Sequence, residues 1–254
     1  MALLKATKLS KVFGGLRAVS NFEVDIAPGE LVGLIGPNGA GKTTAFNLLT
    51  GVYEPTEGQI EFDGKSVVGL KPYQITQRGI ARTFQNIRLF ADLSVLDNVK
   101  IAYHFHVHYG LLESIFRVGR YHKEEAEIEE KAIKFLEIFQ LADKKDEIAK
   151  NLPYGEQRRL EIARALAAQP KLLLLDEPAA GMNPQETQQL MEMIRWIKTK
   201  FDLTILLIEH DMSLVMGVCE RIYVLDYGSI IASGTPEEIK NNPRVIEAYL
   251  GEEV

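Results

Sequence analysis

The sequence is short of several things, and each shortage removes a class of protein. It holds one cysteine, Cys219, so no intrachain disulfide can form and a disulfide-stapled scaffold is excluded. That usage fits a reducing compartment. Long apolar runs are missing too. Leu172-Leu173-Leu174-Leu175 and Ile205-Leu206-Leu207-Ile208 each end directly on an acid, far below the ~18–20 apolar residues that cross a bilayer. Met1-Ala2-Leu3-Leu4-Lys5 lacks the apolar core of a signal peptide, which points to a cytosolic chain. Basic charge is scarce as well: the formal net charge is −6, a poor endowment for a general nucleic-acid track, which needs clustered cations to neutralise phosphates. No internal repeat and no low-complexity linker interrupts the chain. What remains is 254 residues, 46% hydrophobic and 25% charged, enough for one large domain with a sizeable subdomain.

The first third reads as strands and tight turns. Phe22-Glu23-Val24-Asp25-Ile26 alternates as a half-buried strand does, and Pro28-Gly29 supplies the turn after it. Leu31-Val32-Gly33-Leu34-Ile35 is a continuous apolar run suited to a strand buried on both faces. Gln59-Ile60-Glu61-Phe62-Asp63 alternates again and stops at Gly64. From Pro72 to about Gln140 the periodicity becomes helical. Ser94 followed by Asp97 opens a helix. Ile128, Ala132, Phe135, Leu136 and Phe139 line one face of another, opposite a solvated face of glutamates. Buried strands then return at Leu172–Leu175 and Thr204–Ile208, separated by a helix with the stripe Leu190, Met193, Ile194, Ile197 and Phe201. That βαβ order implies a largely parallel sheet. Tyr223-Val224-Leu225 and Ser229-Ile230-Ile231 flank Asp226-Tyr227-Gly228 as a hairpin. The helical middle is therefore an insertion in an α/β core.

Two motifs carry chemistry. Gly36-Pro37-Asn38-Gly39-Ala40-Gly41-Lys42-Thr43 fits G-x-x-x-x-G-K-[ST] in full, after a buried strand and before the helix-compatible run from Thr44. Small residues let the backbone curl so that successive N–H groups face a phosphate, and the helix N-terminus adds its dipole. Lys42 would reach the β- and γ-phosphates and the Thr43 hydroxyl would ligate Mg²⁺. Leu172–Leu175 followed by Asp176-Glu177 places two carboxylates at the C-terminal end of a buried strand, where α/β folds keep ligands. Asp176 would hold Mg²⁺ through its water shell, and Glu177 would polarise a water attacking the γ-phosphate.

A third stretch, Leu152-Pro153-Tyr154-Gly155-Glu156-Gln157 with the basic Ile162-Ala163-Arg164-Ala165-Leu166 after it, resembles the L-S-G-G-Q signature of the ATP-binding subunits of ABC transporters. The resemblance runs from about Leu3 to Leu250 with its motifs in order. Gln85, in Arg82-Thr83-Phe84-Gln85, matches the family's Q-loop glutamine. His210, in Ile208-Glu209-His210-Asp211, matches its switch histidine, whose role needs an imidazole that can be neutral. Phe13 stands where the family places an aromatic against adenine. Taken alone, Gln85 could equally be a surface glutamine and Phe13 a core aromatic.

The resemblance implies a P-loop NTPase α/β fold with a mostly parallel central sheet, an antiparallel β subdomain and an inserted helical subdomain. It makes 1–254 one ATP-binding domain, with 1–85 and 170–254 as nucleotide-binding core and 86–169 as helical subdomain. ATP and Mg²⁺ are the implied ligands. Phe13, Gly36, Pro37, Asn38, Gly39, Ala40, Gly41, Lys42, Thr43 and Thr44 would hold the nucleotide, with Gly155 reaching it in trans from a second subunit. Thr43, Gln85 and Asp176 would hold the metal, while Glu177, His210, Lys42 and Gln85 would serve catalysis. Implied partners are permease transmembrane subunits, a second ATP-binding subunit and, indirectly, an extracytoplasmic solute-binding protein. The place of action is the cytoplasmic face of the cell membrane.

Departures from the family pattern are equally specific. Pro153 and Tyr154 replace the signature serine and first glycine, and Ala180-Gly181-Met182-Asn183 stands where S-A-L-D is usual. Proline is acceptable at a first helical position. These changes imply an unequal pair of sites formed with a different ATPase. The wording of Thr83–Phe90, Asn151–Gly155, Ala179–Pro184 and Asn242–Gly251 is similar to the longer ATPase of high-affinity branched-chain amino-acid importers. Urea or amide importers and lipopolysaccharide exporters have similar subunits, and a soluble ABC ATPase or a regulatory module are more distant alternatives. His104-Phe105-His106-Val107-His108 could line up three imidazoles as a strand, a zinc arrangement. The helix signal at Ser94 groups only His104 and His108, which favours a contact with a membrane partner over a metal.

Overall fold

The computed structural model describes residues 2–250 apart from 105, 106 and 108. Two compact units divide the chain, one formed by Met1–Gln85 with Lys171–Val254 and the other by Asn86–Pro170. The first unit opens with β1 (Leu4–Phe13), β2 (Leu16–Ile26), β3 (Leu31–Ile35), α1 (Lys42–Leu49), β4 (Glu57–Phe62), β5 (Lys65–Ser66), α2 (Pro72–Gln77) and β6 (Ile80–Arg82). The second unit carries α3 (Val95–Tyr103), α4 (Leu111–Phe116), α5 (Tyr121–Ile138) and α6 (Tyr154–Ala167). The first unit then resumes with β7 (Leu172–Asp176), α7 (Pro184–Lys200), β8 (Thr204–Ile208), α8 (Met212–Val218), β9 (Arg221–Asp226), β10 (Ser229–Gly234), α9 (Pro236–Lys240) and α10 (Pro243–Leu250).

The first unit holds both sheets. Six strands lie in the order β10-β9-β3-β8-β7-β6, and four in the order β2-β1-β4-β5. Within the larger sheet every ladder is parallel except β9 with β10. All five residues of β3, of β7 and of β8 are buried, which is why these segments show no alternation in sequence. Each buried leucine or isoleucine contributes about 1.5–3 kcal/mol over its exposed state. The smaller sheet is antiparallel throughout. Its β2 alternates buried and exposed positions from Phe22 to Ile26, as a strand covered on one face must.

Helix ends follow from local chemistry. Asn183 caps α7, accepting the N–H groups of Gln185 and Glu186 at 3.0 Å, while Glu186 returns a bond from the Asn183 N–H at 2.9 Å. Pro184 starts the helix with its φ already set. The buried face of α7 is Thr187, Leu190, Met191, Ile194 and Ile197. Met191 takes the inward place expected for Met193, which is half-buried: the two flank the face at 187, 190, 194 and 197 on opposite sides, and Met191 is the one whose methyl packs against Gly217 of α8. A second departure is β6. Helical periodicity was expected from Pro72 onward, yet Ile80–Arg82 pairs in parallel with Leu172–Leu174. A three-residue strand has no period to read, and its conformation comes from the neighbour it pairs with.

In the second unit Ser94 caps α3 by accepting the Asp97 N–H at 3.0 Å. Ile128, Ala132, Phe135 and Leu136 are the buried face of α5. The Arg158–Glu161 pair in α6 meets at 2.7 Å with both side chains inaccessible. Glu161 also accepts the Arg88 N–H at 3.0 Å. Pro153 is the N-cap of α6, with ψ 150°, rather than its first helical residue. No helix among the described residues is long and apolar enough to cross a membrane.

Candidate active site

The loop between β3 and α1 is shaped by its glycines. Gly41 has φ +102°, and a Cβ there would lie 2.5 Å from the Ala18 carbonyl oxygen, so a side chain is excluded twice. The Gly228 N–H donates to the Ala40 carbonyl at 2.8 Å and braces the loop from the β9–β10 turn. Gly36, Pro37 and Ala40 are buried while Asn38 and Gly39 are exposed at the tip. Lys42 is buried inside the curl, where its Nζ donates to the Gly36 carbonyl at 2.6 Å and the Pro37 carbonyl at 2.8 Å. The N-cap of α1, Gly41, makes no side-chain cap, and the positive dipole end of the helix is directed at the loop. That is a seat for an anion.

A cavity of about 520 Å³ opens over this loop, lined among others by Phe13, Arg17, Gly39, Lys42, Thr43 and Glu177. Asn38, Ala40, Gly41 and Thr44 also face it. Phe13 is 40% exposed at the rim, packed edge-on against Tyr53 at 5.2 Å and beneath the Lys11 ammonium at 5.1 Å. It is thus an accessible aromatic rather than a core residue.

Two neighbouring strands deliver acids towards this region. At the end of β7 the Asp176 Oδ2 accepts from Arg82 at 2.6 Å, both side chains being almost wholly buried. Arg82 also donates to Asn47 at 2.7 Å and Thr50 at 3.2 Å, and its guanidinium lies over the rings of Phe46 and Phe84. Arg82 therefore ties β6, α1 and β7 together. Glu177 follows with φ +44°, a left-handed conformation costing about 1–2 kcal/mol for a residue with a Cβ. Its N–H donates to the Ile208 carbonyl at 2.9 Å, and its carboxylate accepts from the Gln85 Nε2 at 2.7 Å. The His210 Nδ1 stands 3.6 Å from the same carboxylate.

At the end of β8, Glu209 is fully buried. Its Oε1 accepts the Ala179 N–H at 2.7 Å and its Oε2 the N–H groups of His210 and Asp211 at 3.1 and 3.4 Å. Burial pushes this carboxyl above the usual range, and the three N–H donors pull part of the way back. Asp211 then caps α8 through the N–H groups of Ser213 and Leu214. A hydrogen bond from the Ser213 hydroxyl holds its carboxyl below the usual range.

Lys42, Thr43, Gln85, Asp176, Glu177 and His210 all belong to the first unit. Gly155 lies in the second, half-buried at the start of α6 with open space where a Cβ would project. Thr43, Asp176 and Gln85 supply oxygen donors, the set a hard divalent cation takes, and Arg82 anchors one Asp176 oxygen so that the carboxylate has a fixed aim. In the second unit His104 engages the Lys100 carbonyl at 2.9 Å and Glu125 at 3.0 Å. His106 and His108 lie outside the described residues, and among the described ones no group of three or more His, Cys, Asp or Glu side chains could hold a metal. Arg82 and Glu209 were not among the residues singled out from the sequence. Each is a charged residue bordering an apolar run, and only the structure shows that its side chain is buried and therefore needs a partner.

A family model described as "ABC transporter" matches residues 19–180, and one described as "Branched-chain amino acid ATP-binding cassette transporter" matches 229–254. The chain is 48% identical over 250 residues to the high-affinity branched-chain amino acid transport ATP-binding protein LivG of Escherichia coli (strain K12), covering 98% of both chains. It is 45% identical over the same coverage to the corresponding BraF protein of Pseudomonas aeruginosa. Among solved structures it superposes on the ADP form of an ATP-binding cassette of an ABC transporter with a TM-score of 0.84 and 32% identity, covering 99% of both.

Proposed function

Since the chain belongs to the ABC transporter family, we propose that it is the ATP-binding and ATP-hydrolysing subunit of a membrane importer of branched-chain amino acids. The carrying observation is one cavity bordered by the Lys42 loop and Glu177, with His210 at 3.6 Å from that carboxylate. In this reading 1–254 is a single ATP-binding domain. Its nucleotide core is the unit with both sheets, and the chain enters the helical unit directly after Gln85.

Adenine packs on Phe13, and the triphosphate lies along Gly36 to Thr44. Lys42 exchanges the Gly36 and Pro37 carbonyls for β- and γ-phosphate oxygens. Glu177 takes a proton from water as its oxygen bonds to the γ-phosphorus, and the bond from that phosphorus to the β–γ bridging oxygen breaks to leave ADP and phosphate. Thr43, Asp176 and Gln85 would hold Mg²⁺, which supplies charge neutralisation at the phosphate oxygens when bound. His210 donates to the γ-phosphate or orients the water. Gln85, now on Glu177 at 2.7 Å, yields that place to the water and passes the change into the helical unit. Gly155 completes the site of a second, different ATP-binding subunit, and Pro153-Tyr154 makes that pair unequal. Permease subunits hold the protein on the cytoplasmic face of the membrane, and an extracytoplasmic binding protein chooses the solute.

The deciding experiment is purification from native membranes with its bound subunits, reconstitution in vesicles, and assay of ATP turnover with and without a branched-chain amino acid. Turnover that rises with leucine, isoleucine or valine supports the reading. ATP turnover indifferent to those solutes would leave an ABC ATPase with another cargo, such as urea, an amide or lipopolysaccharide.

A further inference from the structure

We propose that Glu209 is a positioning residue for hydrolysis, a buried carboxylate that holds the turn after Glu177 and the segment of His210 in one fixed relation. The proposal rests on the ATPase reading above. Its basis is the way both oxygens are used. Oε1 accepts from Ala179 and Oε2 from His210 and Asp211, so one side chain joins two segments 30 residues apart in sequence. On one side the link lies two residues beyond Glu177, in a tight turn closed by the Ala180 N–H to the Glu177 carbonyl at 3.1 Å and the Met182 N–H to the Ala179 carbonyl at 3.0 Å. On the other it grips the backbone of His210 itself.

The catalytic candidates need such a grip. The His210 side chain is 62% exposed, with its Nδ1 3.6 Å from Glu177 and 3.8 Å from Glu209, so packing does not fix it. Glu177 sits in a left-handed conformation that survives only where its surroundings over-determine it. A glutamate is the side chain that answers all three amides: ionised, it presents two acceptor oxygens and no donor. Glutamine would keep one acceptor and turn an NH₂ against the remaining N–H groups. An apolar residue would fill the space without the burden of a buried charge, and would leave the amides of Ala179, His210 and Asp211 without acceptors. Chemistry at this position is therefore selected for geometry across the two segments, not for packing.

The test uses the assembled complex carrying wild-type chain, Glu209→Gln, His210→Ala and the double variant. Glu209→Gln is expected to leave the dissociation constant for a fluorescent ATP analogue within about twofold and to lower kcat about tenfold, the split of an interaction that acts on the transition state. In the His210→Ala background it is expected to lower kcat by less than about twofold, because the two residues act through one geometry. A Glu209→Gln enzyme with kcat within about twofold of wild type overturns the proposal, as does a full tenfold further loss on top of His210→Ala. Should Glu209→Gln lower the thermal midpoint below the assay temperature, Ala179→Pro, which removes one donor and leaves the carboxylate, is read by the same criteria. Wild-type complex without ATP turnover would instead bring down the ATPase reading itself.

Discussion

Strands β7 and β8 lie side by side, each five buried residues long, and each delivers a buried acid, yet the two acids are neutralised by different means. Asp176 is met by a counter-ion, Arg82, borrowed from a third strand. Glu209 is hydrogen-bonded by amides, from its own segment and from the turn after β7, with the His210 Nδ1 farther off at 3.8 Å. A counter-ion fixes a carboxylate against other strands and helices, and it engages one Asp176 oxygen, Oδ2. Amides come from the backbone, so satisfying them with both Glu209 oxygens fastens one loop to another. In the proposed mechanism the first arrangement aims a ligand, and in the role proposed for Glu209 the second sets the spacing between loops. Neighbouring strands with the same hydrophobic build thus end in different local structures because their acids found different partners.

The strongest break of that contrast is chemical. Glu177→Gln, at the β7 end, removes the proposed base and is expected to cut ATP turnover by about 10²–10⁴-fold, with nucleotide affinity preserved. Single-turnover hydrolysis and equilibrium binding measured on one preparation check this, and turnover close to wild type would remove Glu177 from the mechanism. Next in size is Arg82→Met. It leaves Asp176 buried without its counter-ion and is expected to destabilise the chain by about 3–5 kcal/mol, read from urea unfolding. Adding Asp176→Asn should recover part of that loss; a further loss would show that Arg82 acts through Asn47 and Thr50 instead.

The smallest effect is a slope. Burial raises the folded-state pKa of Glu209, so its contribution to stability is fully present below the ordinary glutamate range and falls as pH rises through the folded value. Wild-type stability relative to Glu209→Gln should therefore decline with rising pH from the ordinary range upward. Asp211, held low by Ser213, has the opposite sign but cancels in the comparison of the two proteins. Urea midpoints measured across that range give the answer. A relative stability that climbs with pH would mean that the three amides outweigh burial.

Part of this was readable in advance. The runs without polar alternation at 31–35, 172–175 and 204–208 became buried parallel strands, since no other element of that length hides both faces. The glycines and Lys42 between the first such strand and α1 announced a tightly curled loop, and the structure wraps it around the Lys42 ammonium. Ser94 announced α3, its hydroxyl capping as its spacing from Asp97 required. Strand β6, the inward turn of Met191 and the partners of Arg82 and Glu209 were not readable. Ile80–Arg82 is too short to carry a period, and a charge beside an apolar run looks the same whether solvent or another chain segment will meet it.

Local order and chemistry were determined by the sequence itself: which segments bury two faces, where a backbone can curl around an anion, which helices begin where. These depend on residues within a few positions of each other. Tertiary structure alone decided that Arg82 would serve Asp176, that Gln85 would rest on Glu177, and that Glu209 would hold Ala179 beside His210. Those contacts join strands and loops brought together by the sheet order, and a hydrogen bond is decided by distances between atoms that separation along the chain does not encode.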